Sequence, residues 1–515
     1  MTTTNERDAR LGRNLAAGVA STAWTAIVTI CTVPLYLHFL GVEAYGLIGF
    51  YTALQGVFAV LDLGLSQSMN REVARAETDE ERARARNLLH TLALGYWIVA
   101  IAIGVAMWVA APWISQHWLR TSIDAGQLST AIALMGLTVA CRFPLGLYLG
   151  ALIGARRMGL ASGIEIVMVS IANIGVIGIL AQISPTIQAF FMWQALIAMI
   201  NVLVIRAVAW SVVGERGDRS PRIDFGAVQR IWRFSAGLAV TAVLAAVFIQ
   251  SDKIVLSRTV SLTDLGAYTL ASIAARSLYV LVAPAFSAVY PQMSSMHAAG
   301  RIDDITLLYR QGTRLLMTVL VPLAIFGTIF STEIFTVWTG DAGLAQSLSL
   351  VAGFLLLGTV LNGAMHFPYA LQLAFGDSHL PMVINATLLI IFVPLLVLLS
   401  LRFGIVGAAA AWAMLNLLYL FLGTWLTHRK LLPGIAGRWL TGDVGVPLLV
   451  SLVIVGGGCL ALRLLNLPAL AAMVIGLGLA GLAFFAIFAL TPGMAEFARR
   501  TFVFRTSLPD TKAKA

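Results

Sequence analysis

Residues 381–402 read PMVINATLLIIFVPLLVLLSLR, and residues 404–427, just beyond, read GIVGAAAAWAMLNLLYLFLGTWLT. No Asp, Glu, Lys or Arg occurs between Pro381 and Leu401, and none between Gly404 and Thr427. A helix of about 20 such residues covers the hydrocarbon core of a bilayer. The only interruption is the tight break Arg402-Phe403-Gly404. Two membrane-spanning helices joined by a sharp corner are the reading these residues impose.

The rest of the chain repeats the pattern. Of its 515 residues, 59% are hydrophobic and 11% charged, whereas a soluble domain carries about 25% charged residues. Fourteen apolar stretches fall between charged or turn-rich breaks. The first seven run 14–40, 46–69, 88–114, 129–154, 159–183, 186–213 and 231–257. The second seven run 265–296, 311–338, 347–375, 381–402, 404–427, 443–465 and 468–491. Besides the Arg402 corner, the tightest break is Ser184-Pro185. The expected fold class is all-α integral membrane, with about 14 transmembrane helices.

Loop charge orients these spans, because cytoplasmic loops collect Lys and Arg. With the N-terminus inside, 26 of the 34 basic residues fall on the cytoplasmic side. Five face outward, and Arg142, Arg206 and Arg276 lie within spans. The bias predicts a multi-pass protein with both termini cytoplasmic. It also explains the net charge of +10 without nucleic acid. The longest polar connections, 70–87 and 214–230, are both placed inside; 70–87 reads as a solvated helix or, in preference, as a loop that only orients and solubilises the chain. The apolar run after the polar residues 1–10 lacks a short core and cleavage site, so it reads as a retained span. Cys31, Cys141 and Cys459 lie in apolar stretches without metal-ligand spacing and read as core residues. No G-x-x-x-x-G-K-[ST] loop is present, so no ATP cradle, cofactor or metal is expected.

An internal repeat organises the chain. Sliding the first six spans over the next six by about 220 residues brings Gly46 (EAYGL) onto Gly266 (TDLGAYTL), and Trp193 near Trp412. This predicts an N-terminal lobe at 1–213, a cytoplasmic linker at 214–230 and a C-terminal lobe at 231–430. Two extra helices follow at 431–491, then a basic tail at 492–515.

The same stretches carry motifs. FLGVEAYGLIGFYTAL (39–54) and VLDLGLSQSMNREVAR (60–75) are followed by FIQSDKIVLSRTVSLTDLGAYTLA (248–271), AVYPQMS (288–294), FTVWTG (335–340) and FGIVGAAAAW (403–412). In order and spacing they resemble the polysaccharide-biosynthesis flippases of the multidrug/oligosaccharidyl-lipid/polysaccharide exporter superfamily. The likeness covers roughly residues 14–430. It implies two six-helix lobes around a central cavity, alternating access, and an undecaprenyl-diphosphate-linked oligosaccharide as cargo in a bacterial cytoplasmic membrane. Membrane lipid, a polysaccharide polymerase and other assembly proteins are the partners this implies. A lipid II flippase and a multidrug or cation antiporter share the superfamily. A membrane glycosyltransferase or polymerase is the reading from another class, and the short, singly acidic outer loops argue against an enzyme.

Charged groups inside spans mark candidate sites. Arg142 (ACRFPLGLY) and Arg276 (SIAARSLYV) sit at comparable depth, one in each half. A guanidinium fork suits a diphosphate; pairing with a carboxylate is the alternative. Asp62, which follows Gln55 by one heptad, Glu165 and Asp252 are candidates for gating or coupling. Lys253 is a candidate for cargo, although Asp252 and Lys253 also read as a neutralised pair or as groups reaching interface water. Asn362, His366 and Tyr369 share one face of the tenth span, as Gln194 and Asn201 do in the sixth. These stripes read either as the wall of a watered, sugar-binding cavity or as hydrogen bonds between packed helices.

Overall fold

The computed structural model describes residues 2–214, 221–377, 379–465 and 467–491, and among these residues it is helical with no strand. Eleven helical stretches are long and apolar enough to cross a membrane. Two of them contain a corner. Gly41 (φ 78°) divides Ala17–Asp62, and Gly404 (φ 58°) divides His379–Leu431. Only glycine takes such angles freely. With the 35-residue helix Phe225–Thr259, these make the fourteen spans read from the sequence. The Arg402 corner is therefore Gly404 itself. At Ser184-Pro185 the chain leaves one helix at Gln182 and starts the next at Ile187.

The helices are α1 (Thr2–Ala59), α2 (Leu65–Arg75), α3 (Asp79–Trp113), α4 (Ala125–Arg142), α5 (Leu145–Gly154), α6 (Met158–Gln182), α7 (Ile187–Gly214), α8 (Phe225–Thr259) and α9 (Leu262–Arg276). They continue as α10 (Tyr279–Ala298), α11 (Ile302–Ile329), α12 (Ser331–Thr339), α13 (Ala342–Ala364), α14 (His366–Ala374), α15 (His379–Leu431), α16 (Ala436–Leu464) and α17 (Ala469–Ala489). Packing divides the chain into two compact units, one ending at Thr269 and the other starting at Leu270. Helix α8 packs against α1, α2 and α3, so by packing the seventh span sits with the first six. The tail 492–515 and linker residues 215–220 lie outside the described residues.

Residues 70–87 form no separate solvated helix. They are the ends of α2 and α3, parted at Ala76–Thr78, where Thr78 and Glu81 close a reciprocal capping box. In the first unit, Gly146, Gly150 and Gly154 line one face of α5 against α2. A Cβ on Gly150 would stand 2.4 Å from the Ser66 carbonyl oxygen, and one on Gly154 2.4 Å from that of Asn70. Small residues every fourth position let two backbones meet. In the second unit, α16 docks on α11 through buried Asp443, which accepts from Arg310 (2.7 Å) and Arg314 (2.6 Å). Trp439 adds an indole N–H to Thr313 Oγ1 (3.0 Å). Cys141 and Cys459 are buried as expected, but Cys31 is exposed.

The repeat is visible in the backbone. After α5, the amides of Ala155, Arg156 and Arg157 donate to the carbonyls of Ala151, Ile153 and Leu152. After α14, those of Phe375, Gly376 and Asp377 donate to Leu371, Leu373 and Gln372. Every atom pair is displaced by 220 residues. Both turns pivot on a left-handed residue, Arg156 (φ 59°) and Gly376 (φ 73°), the helix stop that joins a third-from-last carbonyl to the residue beyond the cap. The anchors Gly46 and Gly266 also touch. A Cβ on Gly46 would strike the Leu262 carbonyl oxygen at 2.0 Å, and one on Gly266 that of Val42 at 2.2 Å. Val42 and Leu262 are themselves 220 apart, so the contact is reciprocal.

Candidate functional site

Four spans are broken in the middle, and most of the charged and polar candidates stand at those breaks. The second span loses its α-helix at Val60–Asp62, one turn of 3₁₀, before Leu63 (φ 49°) and Gly64 (φ 73°) turn left-handed. A left-handed leucine costs about 1–2 kcal/mol, so the conformation must be held by its surroundings. Asp62 supplies part of that hold. Its carboxylate accepts from Ser66 Oγ and from Tyr96 Oη, the latter at 2.5 Å. Gln55, a heptad earlier, donates to Tyr51 Oη instead (2.8 Å), and the 3₁₀ turn separates the two residues expected to share a face.

The fourth span breaks at Phe143-Pro144, immediately after Arg142. Pro144 has no N–H to return to the carbonyl four residues back. Arg142 is exposed at the break and interacts electrostatically with Tyr51. Tyr96 joins the two breaks: while donating to Asp62, its ring stacks on Phe143 at 5.1 Å.

The second unit repeats the arrangement with other residues. Around Ser277-Leu278 the amides of Leu278, Val280 and Leu281 donate three residues back rather than four. Arg276 is exposed there and interacts with Tyr279. The tenth span breaks at Met365, between α13 and α14. Pro368 removes the amide that would reach the Ala364 carbonyl. Asn362 Oδ1 accepts from Tyr279 Oη (2.9 Å), and Asn362 Nδ2 donates to Asn416 Oδ1 (2.8 Å). His366 Nδ1 lies 3.1 Å from the Asn362 carbonyl. The His366 ring meets Tyr279 (5.9 Å) and Phe286 (6.4 Å), and Phe286 stacks on Tyr290 (5.7 Å) and Tyr369 (6.0 Å). Asn362, His366 and Tyr369 thus form an aromatic and amide wall, although the helix is broken between the first and the other two.

Other candidates lie elsewhere. Asp252 and Lys253 do not reach interface water: they are 7% and 8% exposed. Asp252 accepts from Tyr268 Oη (2.9 Å) and from the Lys253 amide (2.8 Å), while Lys253 Nζ donates to Thr52 Oγ1 (2.9 Å). This network ties the second, seventh and eighth spans. Gln194 is buried and donates to the Ala172 carbonyl (3.2 Å), a bond between packed helices; Asn201 lies half-buried seven residues on. Glu165 is exposed on α6, beside α1 and α5.

The family model described as polysaccharide biosynthesis protein matches residues 11–297. The chain belongs to this family. A protein of Shigella flexneri described as "Putative O-antigen transporter" is 21% identical over 411 residues, 78% of this chain and 95% of its own length. The "Uncharacterized membrane protein EpsK" of Bacillus subtilis (strain 168) is 20% identical over 414 residues, 78% of this chain and 79% of its own. Among solved structures, the lipid II flippase MurJ in an inward closed conformation aligns with a TM-score of 0.70 and 13% identity, over 93% of this chain and 98% of that one. An inward-facing multidrug resistance MATE transporter aligns with a TM-score of 0.64 and 11% identity, over 81% and 96%. These structural likenesses concern the fold. Of these four, the Shigella flexneri protein and the two solved structures are described as transporters or a flippase.

In this member of the polysaccharide biosynthesis family, sequence reasoning missed Tyr96, Tyr279 and Asn416, the residues that fasten the breaks. Each is a single polar side chain on an apolar span. The spacing Gly146-x₃-Gly150-x₃-Gly154 was legible and marks the close contact beside the first pair of breaks.

Proposed function

We propose that the protein is a flippase carrying an undecaprenyl-diphosphate-linked oligosaccharide, an O-antigen or exopolysaccharide repeat unit, from the cytoplasmic to the outer leaflet of a bacterial cytoplasmic membrane. In this reading it works by alternating access between two pseudo-symmetric six-helix lobes, spans 1–6 and 7–12, with both termini cytoplasmic. The carrying observation is that Arg142 and Arg276 each stand exposed at a break in a spanning helix. Non-helical backbone at membrane depth is tolerated only inside protein or against a watered cavity. A charge there is costly unless it has a partner or water. Two guanidiniums at such places suit an anionic head group, and the Tyr279, Phe286, Tyr290, His366 and Tyr369 rings suit the apolar faces of sugars.

No ATP is required in this reading. A diphosphate carrying two charges outward across an inside-negative membrane gains roughly 4–5 kcal/mol per 100 mV if it crosses the full field. Asp62, Asp252 and Lys253 are assigned to gating, because each holds a broken or closely packed segment of the second, seventh or eighth span; Glu165 is assigned to coupling.

The test is delivery of surface glycan in cells carrying Arg142→Ala, Arg276→Ala or both, at matched protein levels. Loss of glycan with accumulation of lipid-linked intermediate is expected, together with partial rescue by Lys. Normal glycan in the double variant removes the arginines as a required clamp. Flux in proteoliposomes that ignores both an imposed potential and every ion gradient removes the energetic part.

A further inference from the structure

A cavity of about 730 Å³ lies in the second unit between α11, α13 and α16, with the start of α12 at one end. Its long wall is apolar and open to the side: Leu350, Leu357, Leu452 and Leu460 line it and are exposed. From Leu448 to Leu460 the α16 wall extends roughly 15–18 Å, the depth of one leaflet's hydrocarbon. The end beside α12 is polar. Arg463 is the one charged side chain that lines the cavity among the described residues. It donates to the Ile329 carbonyl and lies 3.4 Å from Glu333 on α12. Both bonds use Nη2, which leaves Nε and Nη1 for a ligand. Glu333 Oε2 is buried and meets no hydrogen-bond donor among the described residues. The hydroxyls at this end have spent their protons. Thr328 Oγ1 donates to the Ala324 carbonyl (2.8 Å), Ser331 Oγ to that of Thr328 (2.9 Å) and Ser349 Oγ to that of Gln346 (2.9 Å). A hydroxyl has one proton and two lone pairs, so all three offer acceptors.

We propose that this cavity seats a phospholipid of the phosphatidylethanolamine type, its phosphate on Arg463 and one acyl chain along α16. A guanidinium fork matches a phosphate. A primary ammonium carries three N–H donors, and the spent hydroxyls and Glu333 supply the acceptors and the negative charge it needs. A choline head has no N–H to give, and a glycerol head brings no positive charge to Glu333. The occupant is a lipid of the bilayer rather than the carried one, because a diphosphate head group has no ammonium for these acceptors. The leaflet follows from the orientation proposed above: with both termini cytoplasmic, the polar end faces outward. Gly456 keeps the apolar part open. It is buried and lines the cavity, and a Cβ there would meet nothing nearer than Leu452 Cδ2 at 4.0 Å.

The purified full-length chain, stripped of lipid in detergent, is to be titrated with dioleoyl phosphatidylethanolamine, phosphatidylglycerol and phosphatidylcholine. Bound lipid is counted by native mass spectrometry. Saturable binding of phosphatidylethanolamine is expected, about tenfold tighter than of the other two, the size of one charge-assisted hydrogen bond. Arg463→Gln should weaken it by a similar factor, and Glu333→Gln should erase the preference over phosphatidylglycerol. Gly456→Leu fills the apolar part and should abolish tight binding while leaving the elution profile and melting temperature unchanged. It carries the test should Arg463→Gln misfold. Equal affinity for the three lipids, or unchanged binding in Gly456→Leu, overturns the proposal. Displacement by undecaprenyl diphosphate at equal concentration overturns it too, since the cavity would then belong to the cargo. The readout needs no transport, so it stands or falls apart from the flippase reading.

Discussion

The break at Asp62 is held by a carboxylate, and the break at Met365 by amides and rings. In the first unit one acidic side chain gathers Ser66 and Tyr96, and Tyr96 passes the contact on to Phe143 beside Arg142. In the second, Tyr279, Asn362 and Asn416 form a neutral chain of hydrogen bonds, and Phe286 stacks among the rings beside it. Thus the repeat keeps where the spans break and changes what fastens them. An anion-binding role therefore weighs unequally on the two arginines. Arg142 shares its pair of breaks with a carboxylate, while the fastening groups named around Arg276 are neutral.

The largest effect expected is on the scaffold under the first pair of breaks. Gly150→Val places a branched side chain where a Cβ alone meets the Ser66 carbonyl oxygen at 2.4 Å. Backbone cannot yield as a flexible side chain can, so a loss of about 3 kcal/mol is expected. It should be read as a lower melting temperature or loss of a monodisperse peak. Gly178→Val, where a Cβ meets nothing within 4 Å, is the control and should fold normally. If both variants fold alike, the close α2–α5 contact is not what supports the break.

Next in size is the asymmetry between the arginines. Arg276→Ala should reduce glycan delivery by about 10- to 100-fold, the scale of one charge-assisted hydrogen bond to an anion. Arg142→Ala should cost less. Equal losses would mean that the carboxylate near Arg142 does not weaken its share of the work. Asp62→Asn sharpens the same point from the other side. It keeps the shape but removes the charge that receives Tyr96 and Ser66, at a cost of about 1.5–3 kcal/mol in stability. Tyr279→Phe, which removes one neutral hydrogen bond from the second unit, should cost about 1 kcal/mol.

The span count and the repeat were legible in the sequence because both are written in long signals. A run of twenty apolar residues, or a loop of five arginines, survives errors of several positions. The corner at Gly404 was legible too, since glycine there is the residue that the geometry favours. The breaks were not. Asp62-Leu63-Gly64 reads as the end of a helix as easily as its middle, and only the tertiary partner Tyr96 decides. The burial of Asp252 and Lys253 was misjudged for a similar reason. Their exposure depends on Thr52 and Tyr268, which no local pattern links to them. Asn362, His366 and Tyr369 were found by helical periodicity even though the helix is interrupted at Met365, because the interruption is too short to turn them to opposite sides.

Smaller effects belong to the matched turns after α5 and α14. Gly376→Ala meets no neighbour within 4 Å, so its cost is the left-handed backbone alone, about 1 kcal/mol, read by melting temperature. Arg156 holds the equivalent place with a side chain that already bears that strain.

The smallest effect lies one residue further on, where the two turns differ in charge. Arg157 in the first corresponds to Asp377 in the second. Asp377 has a partner, Lys430 Nζ at 2.5 Å, on the end of α15. The hydrogen bond from the Lys430 ammonium holds the Asp377 carboxyl below its ordinary value, helped by the amide of Leu380. A carboxyl depressed in the folded state binds protons more readily when unfolded. Its contribution is therefore complete above the unfolded value near 3.9 and is lost as pH falls through the lower folded value. Lys430 is more than half exposed, so solvent screens the pair and its worth stays below about 1 kcal/mol. Lys430→Met should lower the melting temperature slightly at neutral pH and leave it unchanged in strong acid, where Asp377 is protonated in both proteins. An equal difference at both pH values would show that the lysine stem, and not its charge, closes the turn.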